Sequence, residues 1–356
     1  MAATIKFPTV KQSFRAELKK RINEYFETTG QSLSGNSRLY AKAAILLLSF
    51  TFLYVHLVFF TPPVIWAVAE CILLGVVVAG IGFNIMHDGA HGSFSKYKWL
   101  NKAAAFTLDV LGGSSFMWNV KHNVIHHAYT NVDGVDDDID IQPWMRMSST
   151  QPKHPLHRYQ HVYFWFLYAM LYILWVFVLD YQKYFKRKVG AMPLKKMTVG
   201  DHISFWSFKL FYIGIFIVVP VLTVGFTAWL VGFLTFGLVA GFVLSIVFQL
   251  AHTVEHTHFP MPDEETGKLE DEWAIHQLKT TANFAPRNKF ITWLVGGLNF
   301  QIEHHLFPNI SHIHYTNIRR IIKQACAEYN VPYIEYPKMR QAVVSHVNFL
   351  KQMGRG

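Results

Sequence analysis

The chain has 356 residues, of which 51% are hydrophobic, 16% aromatic and only 16% charged. A soluble domain carries about 25% charged residues, so this composition predicts a membrane protein. The formal net charge of +10 favours anionic lipid headgroups over nucleic acid as the polar partner. With only two cysteines, Cys71 and Cys326, a disulfide framework and a cysteine-based metal site are both excluded.

The first forty residues are polar and basic, which is not typical of a cleavable signal peptide. We expect residues 1–40 to form a cytosolic segment, residues 41–310 a membrane domain, and residues 311–356 a cytosolic helical segment. Within the last segment, the pattern of residues 312–329 predicts an amphipathic helix.

Five apolar runs follow in chain order, and a membrane helix needs about 20 such residues. They lie at 41–61, 63–85, 161–180, 208–230 and 231–251. Pro62 and Pro63 separate the first two, which predicts a tight helical hairpin because proline is tolerated only at the start of a helix.

The third run, 161–180, decides the topology. A full crossing there would place the basic loop at 183–196 on the non-cytosolic side, against the positive-inside rule. It would also separate the histidines near 252 from those near 87. We therefore interpret 161–180, which is rich in aromatic residues, as an interfacial or re-entrant helix.

The predicted fold is an all-α integral membrane protein with four transmembrane helices and a cytosolic, histidine-rich helical cap. The cap comprises residues 87–160 and 252–356, and both termini are cytosolic. The expected location is a bacterial inner membrane, or the endoplasmic reticulum in a eukaryote.

Nine of the nineteen histidines fall into four tight groups. The groups are His87 and His91; His122, His126 and His127; His252 and His256; and His304 and His305. A spacing of four residues places two rings on one helix face, and Gln301 completes that spacing with His305. Neutral imidazole binds iron, zinc or copper, and about eight ligands are too many for one ion, so the pattern favours two metal ions.

Other polar residues are weaker candidates. Asp88 is expected to orient a ligand imidazole, and His276 is a reserve ligand. The acidic stretch at 133–140 is interpreted mainly as a solvated loop, and the alternative is that its carboxylates orient ligand imidazoles. The remaining histidines are expected to be interfacial or exposed, including His56, His154, His157, His161, His258, His312 and His314.

Two other protein classes remain open from the residues alone. The segment from His252 to His256 matches the H-x-x-E-H pattern of a zinc peptidase, with Glu255 as general base, but this would leave the other groups unexplained. A metal transporter would place its ligands near the bilayer midplane, whereas these groups lie at helix ends.

Three motifs, HDGAH at 87–91, HNVIHH at 122–127 and QIEHHLFP at 301–308, resemble those of the membrane fatty acid desaturases. The glutamine that opens the third motif is similar to that of the front-end branch. The resemblance implies a centre of two non-haem iron ions. Its implied ligands are His87, His91, His122, His126, His127, His304 and His305, with a further ligand from His252 or His256. Gln301 stands where other branches have a histidine, so it is a weaker ligand candidate.

The resemblance also implies the reaction, in which O₂ and electrons are consumed and a cis double bond enters a fatty acyl chain. Hydroxylation at the same site is the alternative outcome. The acyl chain is carried by CoA, a carrier protein or a lipid. The His-Pro-Gly-Gly motif of a fused cytochrome b5 does not occur in the sequence, so a separate ferredoxin, cytochrome b5 or flavoprotein is the expected electron donor. The Trp, Phe and Gly residues of 106–118 and 290–300 are candidates to line an apolar tunnel, and the alternative for each is ordinary helix packing.

Overall fold

The computed structural model describes residues 5–10 and 13–356, and within them the fold is mostly helical. Four short strands form two pairs, β1 (Lys188–Val189) antiparallel to β2 (Met192–Pro193), and β3 (Ala282–Phe284) parallel to β4 (Ile334–Tyr336). The α-helices are α1 Phe14–Thr29, α2 Ser37–Val55, α3 Val64–Ile81, α4 His87–Ala90, α5 Lys98–Ala105, α6 Thr107–Val110, α7 Ser115–Trp118, α8 His127–Tyr129, α9 Gln160–Leu174, α10 Asp180–Lys186, α11 Val199–Ile213, α12 Val219–Val224, α13 Phe226–His252, α14 Trp273–Thr280, α15 Lys289–Leu294, α16 Gln301–Leu306, α17 Tyr315–Glu328 and α18 Met339–Arg355.

Five continuous helical segments in the described chain are long and apolar enough to cross a membrane, with mean hydropathy from 2.1 to 2.5. They are Ser37–Phe60, Val64–Ala90, Pro155–Lys186, Val199–Val224 and Phe226–His252. Five such segments fit a multi-pass membrane protein, as the composition predicted. Length and hydropathy alone do not decide whether all five cross.

Helix α9 packs closely along the half of α13 that leads to His252. Two glycines of α13 make this approach possible, since a Cβ on Gly241 would collide with the carbonyl oxygen of Ala169 and one on Gly237 would lie 3.1 Å from Ile173. The hydroxyl of Ser245 donates to the carbonyl oxygen of Tyr168 at 3.0 Å. The third apolar segment therefore contacts the helix that carries a candidate ligand.

Both ends of the segment Pro155–Lys186 contact the polar part of the chain. Near its start, the amide of Gln160 donates to the carbonyl oxygens of Arg146 and Leu350 at 2.9 and 2.8 Å. Near its end, the ammonium of Lys183 lies 3.5 Å from the carboxylate of Asp137. The two ends of this helix thus meet segments that adjoin the same histidine groups.

A second hydrophobic core lies in the cap, where the N-terminal and C-terminal segments meet. Phe14, Leu18, Ile22 and Phe26 form a buried stripe along α1, four residues apart. This stripe packs with α14, α16 and α17. The amphipathic helix predicted at 312–329 is confirmed as α17, preceded by a 3₁₀ turn at His312–His314. The proposed domain boundaries at 40 and 310 stay a prediction.

Candidate metal centre

The ends of two apolar helices and two short polar helices bring the histidines together. His87 begins α4, directly after a π-helical turn at the end of the Val64–Ala90 segment, and His252 is the last residue of α13. His122 and His126 lie in the π-helical segment Asn119–His126. The fourth motif forms α16, and all of these histidine side chains are buried.

Two glycines direct α16 towards the end of α3. Gly296 and Gly297 have φ values of 60° and 69°, in the left-handed region that favours glycine. A Cβ on Gly296 would lie 2.5 Å from the carbonyl oxygen of Phe83. The close approach of this turn to α3 carries His304 beside His87, with ring centroids 4.4 Å apart.

One set of four histidines, the first histidine group, consists of His87, His91, His122 and His304. One ring nitrogen from each lies within 4.8 Å of the others. Both ring nitrogens of His87 are buried and have no hydrogen-bond partner in the described part of the chain. The indole of Trp118 stacks on His122 with centroids 4.3 Å apart, so packing against Trp118 helps to hold this ring.

The second histidine group consists of His126, His252 and His305, whose ring nitrogens again lie within 4.8 Å of one another. In each ring Nδ1 contacts a neighbouring oxygen: Asp136 at 3.0 Å from His126, the carbonyl of Thr280 at 3.2 Å from His252, and the side-chain oxygen of Gln277 at 2.8 Å from His305. The three Nε2 atoms are buried and have no partner among the described residues. An oxygen on Nδ1 orients Nε2 as a metal ligand.

His127 lies between the two groups. Its Nε2 is 3.2 Å from Nε2 of His122, and its ring centroid is 4.4 Å from that of His305. Nitrogens of His127, His304 and His305 also lie within 4.8 Å of one another. The two groups are therefore continuous, with His127 as the residue that touches both.

The electrostatics of the cluster keep most of these rings neutral. Burial lowers the pKa of His122, His127, His304 and His305 well below the usual range, and neighbouring imidazoles lower it further. His126 differs: burial lowers its pKa, but the nearby carboxylates of Asp136 and Asp138 outweigh burial and raise it. Neutral imidazole is the form that binds metal.

The nitrogen set fits a metal centre. Within the two groups, Nε2 of six histidines lacks a partner in the described residues: His87, His91, His126, His252, His304 and His305. An unpaired buried polar atom costs about 1–3 kcal/mol, and donors of this kind suit first-row transition metals. The arrangement can therefore hold metal ions. The seven histidines of the two groups, together with His127, are more ligands than one ion takes.

His256 does not join the cluster. Helix α13 ends at His252, and Thr253 leaves the helical conformation with φ −121° and ψ 62°, so the expected one-turn pair does not form. His256 is exposed, and its ring lies against Tyr336 at 6.4 Å. Glu255 is also exposed, and its carboxylate accepts from the side-chain amides of Asn348 and Gln352. The peptidase interpretation of this motif is therefore not favoured.

The three weaker candidates are all buried, but in different surroundings. The carboxylate of Asp88 accepts from the hydroxyl of Ser311 and lies 2.9 Å from Nδ1 of His312; it is 3.9 Å from Nδ1 of His87. His276 packs against Phe7, outside both histidine groups. The side chain of Gln301 is buried, and its amide nitrogen has no partner in the described chain.

Several predictions of exposure were wrong. His157, His312 and His314 are buried, because the cap folds over them, and Nε2 of His312 lies 3.1 Å from the ammonium of Lys42. Asp136 of the acidic stretch is also buried, since it accepts from the backbone N–H of Asn131 and contacts His126.

Sequence reasoning missed Gln277, Thr280 and Tyr315; the adjacency of Gln277 to His276 was the only local signal for any of them.

A narrow apolar cavity adjoins His87. Its walls come from the apolar helices and from residues 108–118, including Met86, Leu108, Trp118 and Phe248. Its volume is about 30 Å³, roughly the space of one water molecule in the liquid. Residues of 106–118 line this cavity as expected, whereas Thr292 and Trp293 of 290–300 line a different one.

These features define a class of protein, a helical membrane protein with a histidine-rich metal site at the ends of its apolar helices. The Fatty acid desaturase family matches residues 62–337. The chain is 39% identical over 343 residues to an sn-1 linoleoyl-lipid 6-desaturase of Arthrospira platensis, covering 96% of this chain and 92% of that protein.

Two further relatives support the same assignment. An sn-1 linoleoyl-lipid 6-desaturase of Synechocystis sp. is 37% identical, with 99% of both chains covered. An acyl-lipid (8-3)-desaturase of Physcomitrium patens is 34% identical, with 96% of this chain and 72% of that protein covered. The chain belongs to the fatty acid desaturase family and is an oxidoreductase of lipid metabolism.

Proposed function

We propose that this desaturase acts on acyl chains of membrane lipids and inserts a cis double bond with a histidine-ligated centre of two iron ions. The observation that carries the proposal is the set of unpaired, buried imidazole nitrogens directly beside an apolar cavity. The names of the three relatives, all lipid-linked desaturases, support a lipid carrier over CoA or a carrier protein.

The two histidine groups suggest how the ligands divide. His87, His91, His122 and His304 would hold one ion, and His126, His252 and His305 the other, with His127 between them. Bound iron supplies the O₂-dependent removal of hydrogen from an unactivated methylene. His256 is left out of this ligand set because it is exposed.

The residues of the chain place the reactants. The oxygens of Asp136, Thr280 and Gln277 orient the second group, and burial of the cluster excludes bulk water. Two neighbouring methylenes each lose one hydrogen, and O₂ is reduced to two waters. Two electrons from a separate donor (a ferredoxin, cytochrome b5 or flavoprotein) and two protons from water complete the balance.

The cavity beside His87 is smaller than an acyl chain. Its lining is made of flexible or apolar side chains such as Met86, Leu108 and Phe248, so substrate entry requires that these side chains move apart. Met86 precedes His87 in the chain, and an acyl chain lying along this cavity would therefore pass directly beside a ligand. Regioselective removal of hydrogen requires that one methylene of the acyl chain be held at a fixed position beside the metal ligand.

For the topology, we propose four crossings, with Pro155–Lys186 as an interfacial or re-entrant helix whose two ends both meet the cytosolic cap. The contacts of Gln160 and Lys183 at its two ends support this. A full crossing would place those ends on opposite sides. Both termini are then cytosolic, in a bacterial inner membrane or, in a eukaryote, the endoplasmic reticulum.

Expression in a host that supplies reduced donor and saturated or monounsaturated lipids tests the reaction. Mass spectrometry should find acyl chains that have lost two hydrogens; a gain of one oxygen would indicate hydroxylation. Metal analysis of the purified protein should give two irons per chain, fewer in His126→Ala and an unchanged number in His256→Ala. One zinc per chain, unaffected by His126→Ala, would overturn the proposal.

A further inference from the structure

A second cavity, much wider than the apolar one, lies on the other side of α3. Its volume is about 1250 Å³. It is bounded by the start of α2, the residues around α15 and the start of α17. Asn84 faces this side, where its amide contacts Lys42 and the carbonyl oxygen of Leu294, whereas Phe83 lines the apolar cavity. The two cavities are therefore separate, and we call the wide one the basic cavity.

Six cationic side chains line the basic cavity, and no aspartate or glutamate does so in the described chain. They are Arg38, Lys42, Arg287, Lys289, Arg319 and Arg320. Two have internal partners, since Arg319 pairs with Glu335 and the ammonium of Lys42 contacts Asn84, His312 and the carbonyl oxygen of Trp293.

The other four cations make no ion pair with any described residue and are exposed. Unpaired like charges around one concave surface repel each other, and a bound anion relieves that repulsion. The excess of positive charge is thus local to the cavity and not only a property of the whole chain.

Two helix N-termini add to the positive potential. The first residues of α2, after Asn36, and of α17, at Thr316 and Asn317, line the cavity. The side chain of Asn36 caps α2 by accepting from the backbone N–H of Arg38, whereas His314, the N-cap residue of α17, provides no side-chain cap. Backbone N–H groups at a helix start point towards an anion and carry a partial positive charge. The cavity therefore combines charged side chains with oriented backbone donors, as phosphate sites do.

The cavity also lies at the boundary of the membrane segment. Tyr40, Phe290 and Trp293 are exposed around it, as aromatic residues are at membrane interfaces. Arg38 at its rim shares one face of the first apolar helix with Ile45 and Phe52, seven and fourteen residues further on, which are 53% and 65% exposed. A headgroup at Arg38 would thus place its acyl tails along an apolar helix face.

From this combination we propose that the basic cavity binds the phosphate of an anionic phospholipid, with the tails along the outer face of α2. Free phosphate carries the same anionic group as the lipid headgroup, but it would make no contact with the apolar face of α2 that continues from Arg38. An acidic protein partner would meet cations on a convex surface, whereas these cations surround a concavity. The site is distinct from the acyl cavity, so the bound lipid is a structural or regulatory ligand rather than the substrate.

Native mass spectrometry of the intact, detergent-purified protein tests this proposal with phosphatidylglycerol and phosphatidylcholine as probes. The wild type should retain one phosphatidylglycerol in preference to phosphatidylcholine. The double variant Arg38→Gln/Arg320→Gln should weaken retention by about tenfold or more, because two cations near the headgroup are lost. Arg287→Gln/Lys289→Gln is a second variant with the same expected result, and Arg38→Lys should keep most of the binding.

The matched control is Lys195→Gln/Lys196→Gln, which removes two exposed cations elsewhere on the surface and should leave retention unchanged. Equal loss in control and test variants, or equal retention of the two lipids, would overturn the proposal. Displacement of the lipid by inorganic phosphate would assign the site to a soluble anion. A raised KM for reduced ferredoxin with unchanged lipid retention would assign it to the electron donor. Iron content is measured in every variant, so loss of the metal centre is recognised separately.

Discussion

The two histidine groups differ in how their rings are held. In the second group, all three Nδ1 atoms contact an oxygen of the protein, and all three Nε2 atoms point away from those contacts. In the first group, only His304 has such a contact, to the hydroxyl of Tyr315 at 3.1 Å. His87 has no hydrogen-bond partner on either ring nitrogen within the described chain.

The difference shows two ways of arranging a nitrogen ligand. Oxygen contacts select the tautomer and direct Nε2 before any metal binds. The first group relies instead on packing, with the rings of His87, His91 and His304 lying against one another and Trp118 against His122. We expect the second group to bind its ion more tightly and the first to adapt more readily.

The largest expected effect separates two histidines that the sequence does not distinguish. His252→Ala removes a ligand of the second group, so activity should fall by more than the roughly 100-fold seen for outer partners of ligands, with loss of iron. His256→Ala should keep wild-type activity and iron content. Steady-state conversion of lipid acyl chains and metal analysis measure both. Similar losses in the two variants would contradict the ligand assignment.

A smaller loss of iron affinity should follow when the contact that orients His126 is weakened and the ligand itself is kept. Asp136→Asn keeps the shape of the side chain but removes the negative charge beside Nδ1 of His126, so iron affinity should fall by about 10–100-fold. Competition with a chelator measures the affinity. Asp140→Asn, at an exposed position in the same acidic stretch, should have no effect, and an equal loss there would point to a general charge effect.

Chelation of the wild type should also distinguish the two groups. Iron release with a ferrous chelator should be biphasic, with the faster phase from the first group, because its rings lack oxygen contacts and move apart more easily. Asp136→Asn should accelerate only the slower phase. Release in a single phase that this substitution leaves unchanged would show that the two groups do not differ.

The smallest expected effect concerns the one oxygen contact of the first group. Tyr315→Phe removes a hydrogen bond worth about 1 kcal/mol, which corresponds to roughly a fivefold loss of iron affinity in the faster phase. Tyr329→Phe, at an exposed position directly after the other end of α17, is the control. If Tyr315→Phe lowered iron affinity as much as Asp136→Asn does, the two histidine groups would not differ in how their rings are held.

The histidine motifs predicted most of the site because one helical turn repeats every 3.6 residues, and pairs four apart share a face wherever the chain is helical. The same rule failed at His256, since α13 ends four residues earlier. Local spacing carries no information on where a helix stops when the residue at which it stops, here Thr253, has no marked propensity to end a helix.

By itself, the sequence determined that the chain is helical and membrane-embedded, that its candidate metal ligands are imidazoles and that they lie at helix ends, because composition and short spacing are local properties. Only the tertiary structure decided which oxygen contacts each ring, which of His252 and His256 enters the cluster, and that cations from residues 38, 287 and 320 surround one cavity. Each of these depends on side chains far apart in the chain that come together only when the cap packs on the membrane helices.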